Sequence, residues 1–356
     1  MGASFIRASV RAMDGYTPGE QPGVGERIVK LNTNENPFPP SPKVVEAIRQ
    51  IEPELLRRYP HPLAEQFRAA AGRLLGVSPE MILCGNGSDD ILTIATRCFV
   101  PPGGLLVAPE PTYSLYPTLA QLEEAKFVGV PWAQDYALPI DAIVRAKPSA
   151  VYLANPNAPT GTFVSPARIA ELAERFRGLV LVDEAYVDFA DENAAVLVNA
   201  YENIVVSRTL SKAYSLAGLR FGFCIAQPQV VEQMLKVKDS YNCDAVSIVA
   251  ATAAIEDQEY ARRTWDHVRE ERTRVSDELA HLGWAPLPSR ANFILTSVPG
   301  GRGKEAYLGL KQQGILVRFF DQPGLRDKVR ITIGTIQENN ALLGAAKELQ
   351  LVDKAA

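Results

Sequence analysis

"GLVLVDEAYVDF", residues 178–189, and "NIVVSRTLSKAYSLAGLRFGF", residues 203–223, decide the fold. Each begins with a run that is apolar on successive positions and then turns polar. The first run ends in Asp183, with Tyr186 just beyond it; the second ends in Thr209, Ser211 and Lys212, with Arg220 on the return. Runs of this kind suit strands covered on both faces, as in a largely parallel sheet with crossover helices.

The same pattern extends outward. "MILCG" (81–85), "GLLVAP" (104–109), "AKFVGV" (125–130), "SAVYLAN" (149–155) and "FGFCIA" (221–226) alternate with amphipathic or turn-rich stretches. That alternation predicts an α/β large domain with a mainly parallel sheet sandwiched by helices. From Gln229 to Leu282 the chain lacks proline and is rich in helix formers, so helices lead out of the sheet. "ANFILTSV" (291–298), "GILVRFF" (314–320) and "KVRITIG" (328–334), with helical segments between them, predict a smaller α+β C-terminal domain. The expected division is an N-terminal arm over 1–35, a large domain over 36–245 and a small domain over 246–356.

Composition narrows the function. The chain has 356 residues, 47 % hydrophobic and 22 % charged, with a formal net charge of -4, which offers nucleic acid or an anionic membrane no electrostatic attraction. Cys84, Cys98, Cys224 and Cys243 are scattered, and only three histidines could join them, so no metal site is expected. No stretch reaches the apolar length of a membrane span, the start lacks the apolar core of a signal peptide, and Ile6 stands where a myristoylation motif wants Ser or Thr. A cytoplasmic protein is expected. No G-x-G-x-x-G follows an early strand, which disfavours a nicotinamide cofactor.

In open parallel sheets ligands bind where the strands end. A lysine amine there can form a Schiff base with a carbonyl, and a desolvated, cation-rich setting lowers its pKa enough to make it a nucleophile. A carboxylate such as Asp183 keeps a heteroaromatic nitrogen protonated, which an electron-sink cofactor such as pyridoxal 5'-phosphate requires. Taken singly, Lys212 reads as a solvated loop residue and Asp183 as a helix N-cap; their joint placement at strand ends favours the chemistry. "CGNGSDDILTIATRCF" (84–99) is a glycine-rich turn into a helix beginning near Ser88, a setting that holds phosphate, although Ser88 or Asp89 alone would be a simple N-cap. Thr209, Ser211 and Arg220 add hydroxyls and a cation. Arg330 interrupts an apolar strand and must meet a carboxylate, from the protein or from a ligand.

"TLSKAYSLAGLRFGF" (209–223) closely resembles the lysine segment of fold type I pyridoxal-phosphate aminotransferases. With "LNTNENPFPP" (31–40), "RYPHP" (58–62), "GNGSDDIL" (85–92), "EPTYSLY" (110–116), "NPNAPTG" (155–161) and "VRITIGT" (329–335), all in family order, the chain resembles the histidinol-phosphate aminotransferases from Tyr16 to Asn340. The resemblance implies Lys212 as the Schiff-base and proton-transferring lysine, Asp183 as partner of the pyridine nitrogen and Tyr186 as donor to the ring oxygen. It implies Tyr113 stacked on the ring, Gly87, Ser88 and Asp89 as the phosphate turn, and Thr209, Ser211 and Arg220 as further phosphate ligands. Tyr59 would reach the neighbouring subunit's cofactor phosphate, which implies a homodimer with shared active sites, and Tyr16 would join from the arm. Arg330 matches the arginine that forks onto the α-carboxylate of glutamate or 2-oxoglutarate. Arg318 matches one associated with the substrate's phosphate or distal carboxylate.

The implied reaction is ping-pong transamination between histidinol phosphate and 2-oxoglutarate in histidine biosynthesis. An aromatic amino-acid aminotransferase and a threonine-phosphate-decarboxylase-like enzyme share nearly every cofactor residue and remain as alternatives. One position departs from the family: the asparagine that usually precedes "PTG" is Ala158, which cannot donate. Asn157 is expected to compensate, with Asn155 or an unaided Tyr186 as the other possibilities; one lost hydrogen bond is worth about 1 kcal/mol.

Overall fold

Segments that are apolar at every position become the middle of one sheet, because only there are both faces of a strand covered. The computed structural model describes residues 5–13, 15, 19–23, 25, 28–349 and 351. In chain order the strands are β1 (Val29–Lys30), β2 (Ile82–Gly85), β3 (Leu105–Glu110), β4 (Lys126–Pro131), β5 (Ala150–Ala154), β6 (Leu179–Asp183), β7 (Ile204–Thr209) and β8 (Gly222–Ile225). After these come β9 (Ala285–Pro286), β10 (Phe293–Ser297), β11 (Ile315–Leu316), β12 (Arg318–Phe319) and β13 (Lys328–Thr332).

Seven strands form the large sheet in the order β2-β8-β7-β6-β5-β3-β4. Every residue of β5 and β6 is buried, whereas the edge strand β4 alternates between exposed and sheltered positions. Successive residues serve two separate apolar layers: Val107, Val151, Leu153, Val180 and Val182 pack on one face, and Leu106, Ala108, Tyr152 and Leu181 on the other. Each such aliphatic side chain contributes about 1.5–3 kcal/mol when fully buried.

All pairings in this sheet are parallel except those of β8, which runs antiparallel to both β2 and β7. The reversal has a positional consequence. β8 starts at the edge where its neighbours end, so Arg220, just before β8, arrives beside Lys212, just after β7.

The C-terminal half forms a four-stranded antiparallel sheet, β12-β13-β10-β9. The helices Gln258–His281, Gly303–Gln312 and Ile336–Glu348 accompany it, the last started by a capping box between Thr335 and Glu338. Its core gathers Trp265, Val268, Val275, Leu279, Ile294, Val329, Ile331 and Leu342. Helix Ala245–Glu256 instead buries Ile248, Ala250, Ala251 and Ala254 in the core of the large sheet. Near the N-terminus β1 pairs in parallel with β11, and Leu31, only 1 % exposed, receives an N–H from Thr332 and donates its own to Leu316. This clip carries residues 32–36 across the mouth between the two sheets.

Candidate active site

The carboxyl ends of the parallel strands, the segment after β1 and the face of the small sheet enclose a cavity of about 550 Å³. Ser88, Asp89, Tyr113, Asp183, Tyr186, Thr209, Ser211, Lys212, Arg220, Arg318 and Arg330 all line it. Eleven residues expected from sequence thus meet in one place, drawn from both sheets.

Asp183 is the last residue of β6, 4 % exposed, and Tyr116 donates to its Oδ2 at 2.9 Å. Its Oδ1 is buried with no hydrogen-bond partner among the described residues. Burial is the largest influence and pushes the carboxyl up to about 7, against the opposing effect of the Tyr116 hydroxyl. A buried acceptor left open is costly unless a ligand supplies a donor, and an N–H⁺ on an aromatic ring would supply both the donor and the compensating charge.

Lys212 follows β7 by a short turn, and its Nζ donates to the carbonyl of Thr33 at 2.8 Å. Burial above all, then the nearby positive charge of Arg330, brings this amine down to about 8. It is therefore partly neutral near physiological pH, the state in which an amine attacks a carbonyl or takes a proton.

Opposite it stands an anion cradle. Helix Ser88–Phe99 opens toward the cavity from Gly87, whose φ of +87 suits glycine, and its first-turn N–H groups lack intrahelical partners. Arg220 donates to Ser211 Oγ at 3.1 Å and pairs with Asp89 at 3.3 Å, while Thr209 donates to Ser211 at 3.0 Å. A Cβ on Gly87 would come within 2.7 Å of the Arg220 guanidinium. One on Gly222 would meet the Ser88 N–H at 2.5 Å, so the cradle is closed from beneath by a glycine at the start of β8.

Above the sheet edge, Tyr113 donates to Asp89 at 3.2 Å and packs edge-on against Tyr116, with ring centroids 5.7 Å apart. Tyr186 receives a hydrogen bond from the Asn34 amide at 3.0 Å and sits edge-on to Phe293. On the small sheet, Arg330 Nη2 donates to the Asn32 carbonyl at 2.9 Å.

Other expected residues lie elsewhere. Asn157 is 1 % exposed but does not line the cavity; its amide nitrogen is committed to the Pro111 carbonyl at 3.0 Å and to Thr160 at 2.8 Å. Asn155 likewise spends its amide on Val164 within its own turn. Ala158 does line the cavity, so a methyl and not an amide forms that part of the wall. Tyr59 is 81 % exposed and stacks on Tyr241 with centroids 4.6 Å apart, away from this chain's own cavity. Tyr16 lies outside the described residues.

Reading the sequence missed three supports: Tyr116 beneath Asp183, Asn34 against Tyr186, and Gly222 under the cradle. Tyr116 carried a signal, as a second tyrosine three residues after Tyr113. Asn34 lay within a quoted motif without a role, and nothing in the sequence marks Gly222 off from other strand glycines.

The donor set fits pyridoxal phosphate, with an amine for its aldehyde, a buried open acceptor for its ring nitrogen and a cradle for its phosphate. Comparison with known proteins agrees. A histidinol-phosphate aminotransferase of Nostoc sp. is 46 % identical over 346 residues, covering 97 % of this chain and 98 % of that protein. Its counterpart in Rhodopirellula baltica is 47 % identical, covering 95 % and 93 %. The crystal structure of histidinol-phosphate aminotransferase from Sinorhizobium meliloti, in complex with pyridoxal-5'-phosphate, superposes with a TM-score of 0.87 at 27 % identity, covering 98 % of each chain. Residues 26–345 match the family of class I and II aminotransferases, and with these relatives the chain belongs to that family, among the histidinol-phosphate aminotransferases.

Proposed function

We propose that this aminotransferase moves an amino group between L-histidinol phosphate and 2-oxoglutarate, forming imidazole-acetol phosphate and glutamate in histidine biosynthesis. The observation that carries the reading is the open, buried Oδ1 of Asp183 in the same cavity as the partly neutral amine of Lys212. Pyridoxal phosphate supplies an aldehyde that exchanges amines and a ring that accepts electron density.

The chain's own residues do the rest. Asp183 would hold the ring nitrogen and stabilise its proton, and Tyr116 keeps that carboxylate oriented. The helix Ser88–Phe99 and its partners Ser211, Thr209 and Arg220 would bind the phosphate, and Tyr113 would cover the ring. Tyr186 would donate to the ring oxygen without help from position 158. Lys212 would hold the cofactor's aldehyde carbon and would carry a proton at the substrate's α-carbon; burial brings this amine down to about 8 in the cofactor-free protein, so that it can act as a base. Arg330 binds the α-carboxylate of glutamate or 2-oxoglutarate, and Arg318 the phosphate or distal carboxylate.

A homodimer in which Tyr59 reaches the partner's phosphate cradle completes the proposal, supported by the exposed Tyr59–Tyr241 stack and by Leu56, 62 % exposed three residues before Tyr59. The domain division is proposed at Asp257 instead of 245, because helix Ala245–Glu256 shares the large core. Four unpaired cysteines suit a reducing cytoplasm, and among the described residues no helix is long and apolar enough to cross a membrane.

The test is an absorbance spectrum of the purified protein, with glutamate and histidinol phosphate added separately, followed by borohydride reduction and peptide mapping. Both amines should bleach the bound chromophore, and the pyridoxyl adduct should map to Lys212. An adduct elsewhere, or no response to histidinol phosphate, overturns the assignment.

A further inference from the structure

Arg318 and Arg330 are direct cross-strand partners in the antiparallel pair β12–β13. Their side chains therefore leave the same face with Cβ atoms about 4.5–5.5 Å apart, an arrangement that is destabilising for like charges. Both line the cavity, where burial weakens the screening that water would give.

Phe320 follows Arg318 by two positions, lines the same cavity, and is shared by both cations. The Arg318 guanidinium carbon lies 5.6 Å from its ring centroid and that of Arg330 lies 5.5 Å away. Arg330 has a second ring, Phe293, at 5.2 Å. An aromatic face attracts a cation without using its N–H donors, so the ring contact does not compete with the hydrogen bonds those donors make. The ring also limits where each long side chain can go before a substrate arrives, which lowers the ordering cost of binding.

We propose that Phe320 is a positioning residue that determines substrate specificity: its ring presets the spacing of the Arg318 and Arg330 guanidiniums as one two-cation site for a phosphate or a pair of carboxylates. The proposal rests on the assignment of those arginines to substrate anions given above. It explains how one pair of side chains serves two amino donors that share no anionic group in the same position. It also identifies a purely apolar side chain as part of charge recognition.

The test compares the cofactor-loaded wild type with Phe320→Leu and Phe320→Tyr, using histidinol phosphate and its phosphate-free counterpart histidinol as amino donors. Phe320→Leu should raise KM for histidinol phosphate about tenfold, the worth of two modest cation–π contacts, and leave kcat within about twofold. Its kcat/KM for histidinol should stay at the wild-type value, and Phe320→Tyr should restore KM. Calorimetric titration with glutarate should show a matching fall in affinity in the leucine variant. An equal loss with both donors, or unchanged KM and glutarate affinity, overturns the proposal. Should the leucine variant not fold, Phe320→Met, which keeps volume without a π face, is read by the same criteria. If the wild type itself does not prefer histidinol phosphate to histidinol, the functional assignment fails, and the glutarate titration alone then decides the role of Phe320.

Discussion

Asp183 and Arg330 face one cavity from two different sheets, and the protein keeps their charges in opposite ways. On the large-sheet wall Asp183 and Lys212 are buried at strand ends and pushed toward neutrality, Asp183 up to about 7 and Lys212 down to about 8. On the small-sheet wall two guanidiniums stand side by side with aromatic faces against them. At Asp183 and Lys212 the first wall suppresses charge until one resident ligand supplies the counter-charge. The second holds charge ready for anions that come and go. A cofactor that stays bound and substrates that alternate require that difference.

Separating the two walls by substitution is the way to break this comparison. Lys212→Ala should give the largest effect: turnover falls by at least about 10³-fold, as expected when the proton-transferring group is removed. Single-turnover kinetics check it, and more than a tenth of the wild-type rate would show that chemistry does not reside on the large-sheet wall. Arg330→Gln comes next. It should raise KM for glutamate about 100-fold, the scale of a lost bidentate charge-assisted contact, with cofactor retention unchanged by absorbance. Cofactor loss there would show that the walls are not independent.

Asp183→Asn sharpens the comparison through pH. In the cofactor-free protein the folded pKa of Asp183 lies above its unfolded value, so the native state holds a proton that the unfolded chain has released between pH 4 and 7, roughly. The stability this group contributes is complete below that window and lost as pH rises through about 7. The asparagine variant lacks the dependence, so its melting temperature relative to wild type should climb by a few degrees between pH 5 and pH 8. A constant difference would mean that Asp183 is not held neutral by burial. Tyr116→Phe is the mildest: losing one hydrogen bond of about 1 kcal/mol should weaken cofactor affinity about fivefold, measured by equilibrium dialysis.

The large-sheet wall was legible because each functional residue follows an uninterrupted apolar run, and a polar residue in that position has few structural reasons to be there. Asp183, Thr209 and Lys212 announce themselves in this way. Arg220 was legible as a cation of the lysine segment, but its arrival beside Lys212 depends on the reversal of β8, and nothing in "RFGFCIA" states a strand's direction. The small-sheet wall was harder to read because β11 and β12 are two residues each, too short for a period to show, and the pairing of Arg318 with Arg330 is a matter of register. Asn157 illustrates the opposite difficulty. Its residue type suited the missing donor, but competition from Pro111 and Thr160 for the same amide is invisible until the turn has folded.

The clip that ties Leu31 and Asn34 to β13 joins positions 298 residues apart in the chain. A ribosome must therefore release the segment that carries β13 before the cavity has its third side. Until then a nascent chain offers the cofactor a phosphate cradle and a lysine with no wall to hold substrate, and contacts of such long range are slow to form. Complete assembly of the pocket thus reports that β13 has been synthesised.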